Sequence, residues 1–155
     1  MDLSYGLFSE YNEKIFSEKI IGKIIKGEWN DILNGLCIIK DNAILLNYIY
    51  FKYFATNKTY DHIVNFITNN IDKILVKSQH FCVCVNMKGL TLGDLDKHKV
   101  FIQNISIFLT EKYPNKLSKC YIYNAPFIFS RIYKVVSTFI DKTTQEKIEL
   151  VKDIK

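Results

Sequence analysis

The sequence predicts an α/β fold, a mostly parallel sheet of about five strands with helices layered on it. Three observations carry that expectation. Residues 81–87 are apolar throughout except for Asn86, the pattern of a strand covered on both faces. Long segments on either side repeat their apolar residues at helical spacing. Beyond Pro114 the succession of strand, helix and strand recurs, which suits parallel strands joined by helical crossovers.

Taken in order, residues 1–27 read mainly as helix. Phe8, Phe16, Ile20, Ile21, Ile24 and Ile25 recur near helical spacing, and Gly27 is the stop. Such a helix docks on its own domain, lies on a membrane or pairs with another chain; docking is the ordinary fate of an apolar stripe. Residues 29–35 read as a connector, with Asn30, Asp31 and Asn34 as turn formers. A hairpin is expected next, with strands over 36–39 and 43–54 joined at Lys40-Asp41-Asn42. Thr59 then caps a helix to Lys77, with Tyr60, Ile63, Val64, Ile67, Ile71, Ile74 and Leu75 on one side.

After the strand at 81–87, a turn at Met87-Lys88-Gly89-Leu90 leads to a helix opening at Thr91 or Asp94. That helix carries Val100, Phe101, Ile105, Phe108 and Leu109 inward and ends at Pro114, which has no amide hydrogen to donate. Residues 120–124 form a short strand, and Asn124-Ala125-Pro126 turns the chain into a helix over 127–140. Around that helix Ile128, Phe129, Ile132, Tyr133, Val135, Val136, Phe139 and Ile140 fall within roughly 160°. Ser130, Arg131, Lys134, Ser137 and Thr138 fill the other side. Periodicity alone does not separate a core face from a lid over a ligand. A short helix at 143–146 and a strand at 148–151 complete the order.

At 155 residues the chain is one domain's worth, and its 48% hydrophobic and 14% aromatic content is too rich for disorder. No run approaches the ~20 apolar residues of a membrane span, and no signal peptide opens the chain, so a cytoplasmic location is expected. The net charge of +5 comes from lysines scattered among acids and a single Arg131. Nucleic-acid readers lean on arginine's bidentate fork, so no nucleic-acid partner is expected. Weak attraction to an anionic membrane remains compatible with that surface. The cysteines at 37, 82, 84 and 120 lie in apolar runs without a CxxC pair, so reduced thiols and no metal are expected. There is no glycine-rich phosphate loop, GxSxG or HExxH, and His62, His80 and His98 are isolated. No enzymatic activity is expected.

Tyr113-Pro114, Asn124-Ala125-Pro126, Phe129-Ser130 and Lys147-Ile148 stand in an order and spacing that resembles the CRAL-TRIO lipid-binding and lipid-transfer family. The family includes phosphatidylinositol, retinaldehyde and tocopherol transfer proteins. The likeness is clearest over 81–151 and looser back to Leu36. It implies a CRAL-TRIO-like domain over 29–155, preceded by an N-terminal helical segment over 1–28.

The resemblance also implies the working parts. The helix after Asn124-Ala125-Pro126 is the gate, and Phe127, Phe129, Ile132, Tyr133, Val136, Phe139 and Ile140 line a cavity between it and the sheet. Asn115, Thr144 and Lys147 occupy the positions where inositol-lipid binders carry a glutamate, a threonine and a lysine. The family's Lys-Pro-Phe at the gate's end is here Ser137-Thr138-Phe139, and Asn86 stands where the family has an aspartate. The family pattern has several helices ahead of the domain and a tail behind the gate; against it, one helix is expected here before Trp29 and the tail is expected to be absent. An apolar wall left open there is expected to find a partner, and homodimerisation is the expectation.

The expected function is therefore binding, with transfer or sensing, of a phospholipid or other hydrophobic molecule, with transient contact to a membrane surface and no cofactor beyond bound lipid. The alternative is an interaction module that kept the fold and lost the cavity, binding a small GTPase or itself.

Overall fold

The strands assemble in chain order. In the computed structural model, which describes residues 13–138 and 140–151, one sheet runs β1-β2-β3-β4-β5. The side chains of residues 13, 16, 132, 135 and 136 also lie outside the description. The elements are α1 (Glu13–Ile25), α2 (Trp29–Leu36), β1 (Cys37–Lys40), β2 (Ala43–Asn47), α3 (Tyr48–Phe54) and α4 (Tyr60–Lys77). They continue as β3 (Phe81–Asn86), α5 (Leu92–Lys112), β4 (Leu117–Tyr123), α6 (Phe129–Val136), α7 (Lys142–Glu146) and β5 (Ile148–Leu150). β1 and β2 are antiparallel, and β2 through β5 are parallel. The α/β fold with a mostly parallel five-stranded sheet is as the sequence predicts.

Partner residues across parallel strands point to the same face. Ile44, Val83, Cys120 and Ile148 therefore share one face, and Leu45, Cys84, Tyr121 and Glu149 the other. The first face carries the main core. Ile44 and Phe81 pack there with Ile63, Ile67, Ile71 and Ile74 of α4, whose spacing is that of one helical stripe. Ala43, Leu45, Cys84 and Tyr123 form a second buried cluster on the other face. Cys120 thus lies across the sheet from Cys82 and Cys84, and all four cysteines are free thiols.

α1 ends where Gly27 takes φ +73°, a left-handed conformation that glycine adopts at no steric cost. Its Ile20 is fully buried in the main core beside Ile32 of α2, so the described part of this helix docks on its own chain. Phe8 and the first twelve residues lie outside the described residues.

Two segments differ from expectation. Residues 29–35, read as a connector, form α2, because Ile32, Leu33 and Leu36 make a buried helical stripe. Asn30, Asp31 and Asn34 are simply its exposed face. Residues 43–54, read as one strand, split at Asn47 into β2 and α3. A strand has two faces to offer, whereas the rings here go several ways. Phe54 meets Trp29 at 5.4 Å, and Phe51 meets both His98 at 4.7 Å and Phe101 at 5.4 Å. Tertiary packing overrides the strand propensity of the aromatic run.

The split is marked by an asparagine ladder. Asn47 donates to the Gly35 carbonyl at 2.9 Å, Asn86 to Asn47 Oδ1 at 3.4 Å, and Asn124 to Asn86 Oδ1 at 3.0 Å. The amide at position 86 both donates and accepts here, which a carboxylate at that position does not do.

Candidate functional site: a cleft between α5, the sheet and α7

α5 is the wall that makes the site. Thr91 and Asp94 open it with a reciprocal capping box. Along its 21 residues only Leu95 and His98 are buried. Phe101, Ile105 and Leu109 are half-buried against the core, and Tyr113 at the C-cap is buried. Val100 and Phe108, expected inward, are instead 67% and 41% exposed. The apolar residues of α5 are spread around the helix, so a stripe turned to the sheet leaves others outside. A helix held at both ends and lightly packed between leaves space beneath it.

That space is a cleft of about 350 Å³. Its apolar walls come from Phe81 and Val83 of β3, Leu109 and Tyr113 of α5 and its cap, and Leu117 and Cys120 of β4, with Ile140 at the far side. Its polar rim holds Asn115, Thr143, Thr144, Lys147 and Asp141. A small-molecule site commonly has this make-up, apolar walls with a few convergent polar groups.

Local chemistry explains how the rim is built. Pro114 ends α5, and Asn115 turns the chain with φ +59°, a conformation asparagine tolerates better than most residues. The Tyr113 hydroxyl donates to Asp72 Oδ1 at 2.7 Å and to the Thr68 carbonyl at 3.2 Å, tying the turn to α4. Burial and the Asp72 carboxylate hold this phenol above its ordinary range. On the other side Gln145 Nε2 donates to the carbonyls of Ser137 (3.0 Å) and Ile140 (2.6 Å), joining α7 to the chain after α6. The Cys120 amide donates to the Lys147 carbonyl at 2.9 Å, which fixes the end of α7 on β4. Burial pushes the Cys120 thiol up to about 12, so it stays neutral and acts as wall.

Of the residues the sequence singled out, Asn115, Thr144, Lys147 and Ile140 come together around this cleft. Phe127, expected to line the cavity, is 99% exposed and faces solvent just ahead of α6. Phe129 and Tyr133 are half-buried on α6 with ring centroids 6.0 Å apart, and neither lines the cleft. The helix is also shorter than the expected 127–140. The side chains of Ile132 and Val136, and Phe139 altogether, lie outside the described residues. Sequence reasoning missed Phe81, Val83, Leu109 and Cys120 as walls; the period-two alternation of β3 and the spacing of Leu109 with Tyr113 carried the signal.

Among the described residues no group of three or more His, Cys, Asp or Glu converges as a metal site. None of the described helices is long and apolar enough to cross a membrane.

Comparison with known proteins agrees with this architecture. A CRAL/TRIO domain family model matches residues 41–155. The SEC14 cytosolic factor of Yarrowia lipolytica is 32% identical over 69 residues, 44% of this chain and 14% of that protein. The Sec14 cytosolic factor of Schizosaccharomyces pombe is 27% identical over 70 residues, 45% of this chain and 24% of that protein. The matches thus span less than a quarter of either relative. The crystal structure of Sfh5 superimposes with a TM-score of 0.60 at 18% identity, over 72% of this chain and 42% of that one, a likeness of fold. With the family model covering most of its length, the chain belongs to the CRAL/TRIO domain family, the lipid-binding family that its sequence resembles.

Proposed function

We propose that this chain binds a single lipid or other hydrophobic amphiphile and exchanges it with membranes. The apolar part lies between α5 and the sheet, and the polar end meets Asn115, Thr144 and Lys147. The observation that carries this reading is the cleft itself, apolar on the side of β3, β4 and α5 and polar at α7. Each buried CH₂ stabilises the complex by ~0.8 kcal/mol, so fit rather than catalysis provides the affinity. At about 350 Å³ the cleft is at the small end for a ligand site, so a two-chain phospholipid requires α5 and α6 to move apart. Phe127, 99% exposed and followed within one to two helical turns of sequence by the exposed Arg131 and Lys134, is the contact point with the bilayer surface. The relatives' names place them in the cytosol, and we assign this chain to the same compartment with transient membrane contact.

The test is uptake. The chain is incubated with vesicles of phosphatidylcholine and phosphatidylinositol, re-isolated and extracted. Near-stoichiometric lipid is expected, and a lipid-free protein after exposure to both would count against the reading.

The interaction-module reading keeps one observation in its favour, the modest volume of the cleft. It expects no lipid uptake and a protein partner instead.

A further inference from the structure

We infer that the exposed face of α5 is one half of a symmetric interface with a second copy of this chain, the two α5 helices running antiparallel with Asn104 on the two-fold axis. This goes beyond the lipid reading and does not depend on it.

The face is defined by residues at heptad-like spacing. Lys97, Val100, Asn104, Ile107 and Glu111 are all exposed on one side of the helix, with Val100 at 67% and Ile107 at 47%. Beside them α4 and α5 enclose an open groove of about 720 Å³, into which Phe101 and Phe108 also project. Apolar groups at this spacing on a helix with so few buried residues call for a cover.

The order of residues says what the cover is. In an antiparallel pair centred on one residue, positions equally far before and after it face each other. Lys97 and Glu111 each lie seven places from Asn104, so each lysine meets the other copy's glutamate, twice over. Val100, four places before Asn104, falls opposite Phe108, four places after it, and Phe101 falls opposite Ile107, each three places away. Asn104 meets its own counterpart, the pairing by which a lone polar residue in an apolar seam fixes register and orientation. A parallel pair would instead stack Lys97 on Lys97 and Glu111 on Glu111. Glu111 also sits in the last turn of α5, where the helix dipole disfavours an acid, and a partner's lysine offsets that cost. Lys97 and Glu111 make no ion pair with any described residue of their own chain. The groove gives the partner's Phe108 a place to enter, against Phe101 and Tyr60, which stack at 4.3 Å.

Sedimentation of the full-length chain, lipid-free and lipid-loaded, tests this. A dimer with a Kd on the order of 10 μM or tighter is expected in both states. Lys97→Glu and Glu111→Lys, both on the exposed face and each creating two like-charge contacts, should weaken it about tenfold. The double variant restores opposite charges and should return to within about threefold of the original. Asn104→Cys should cross-link to itself under mild oxidation, since the axis brings the two copies of that position together. A monomer at all accessible concentrations would overturn the inference. So would a dimer indifferent to the single charge reversals, a double variant no better than the singles, or an Asn104→Cys chain that stays uncross-linked. Lipid uptake by a strictly monomeric protein would sink this interface and leave the lipid reading standing.

Discussion

The Tyr60 hydroxyl and His98 Nδ1 are hydrogen-bonded at 2.8 Å, fastening the start of α4 to the first turns of α5. The imidazole is 2% exposed, its Nε2 is buried without a partner among the described residues, and its ring centroid lies 4.7 Å from that of Phe51 in a T-shaped contact. Burial, reinforced by neighbouring Lys97 and opposed by Asp94, lowers the His98 pKa from its ordinary 6.5. The unfolded chain therefore takes up the proton first, and stability falls as pH drops below 6.5 toward the folded value. Urea midpoints measured from neutral pH downward should decline across that window. His98→Asn, which keeps a polar group near Tyr60 and cannot titrate, should be less stable at neutral pH and lose this part of the slope. An unchanged slope would refute the assignment.

Tyr113 is the second fastening of α5. Tyr113→Phe keeps the ring against Phe81, at 5.7 Å, and removes the hydroxyl from Asp72 and Thr68. Asp72 is exposed and regains water, so the loss should be about 1 kcal/mol rather than the larger cost of a buried orphan. Denaturant titration reads it directly.

Gly35 sits where α2 approaches α3. A Cβ there would lie 2.5 Å from Cε1 and Cζ of Tyr50, so the ring must be displaced. Gly35→Ala should therefore destabilise by about 1–3 kcal/mol, although alanine is the better helix former. A neutral or stabilising result would show that Tyr50 is free to swing away.

Much of the fold was legible because period and punctuation agreed. Pro114, Gly27 and the Thr91/Asp94 box ended or opened helices as their chemistry requires. What was not legible depended on tertiary partners. Tyr48–Phe54 has strand-like composition and becomes helix because its rings meet α2, α4 and α5. Val100 and Phe108 read as core because periodicity counts apolar residues without knowing which ones a partner covers. In the site, the polar rim at Asn115, Thr144 and Lys147 followed from the family resemblance, while the apolar walls are brought together only by the register of β3 with β4 and the placement of α5.

Lys147 offers the sharpest probe of the polar rim. Its carbonyl, not its side chain, holds the Cys120 amide, so Lys147→Glu should leave the fold intact. It should lower uptake of anionic phospholipid by about tenfold or more and spare neutral lipid. Equal loss for both lipids would remove Lys147 from headgroup recognition.

Filling the cleft separates a binding site from a packing defect. Leu109→Trp, on its α5 wall, should reduce lipid uptake sharply with little change in the thermal midpoint. Undiminished uptake would place the lipid elsewhere.

Native mass spectrometry of the full-length chain purified from eukaryotic cells tests the central claim most directly. The expected spectrum shows the protein carrying one lipid-sized adduct that exchanges on exposure to vesicles. A clean protein mass before and after that exposure would contradict it.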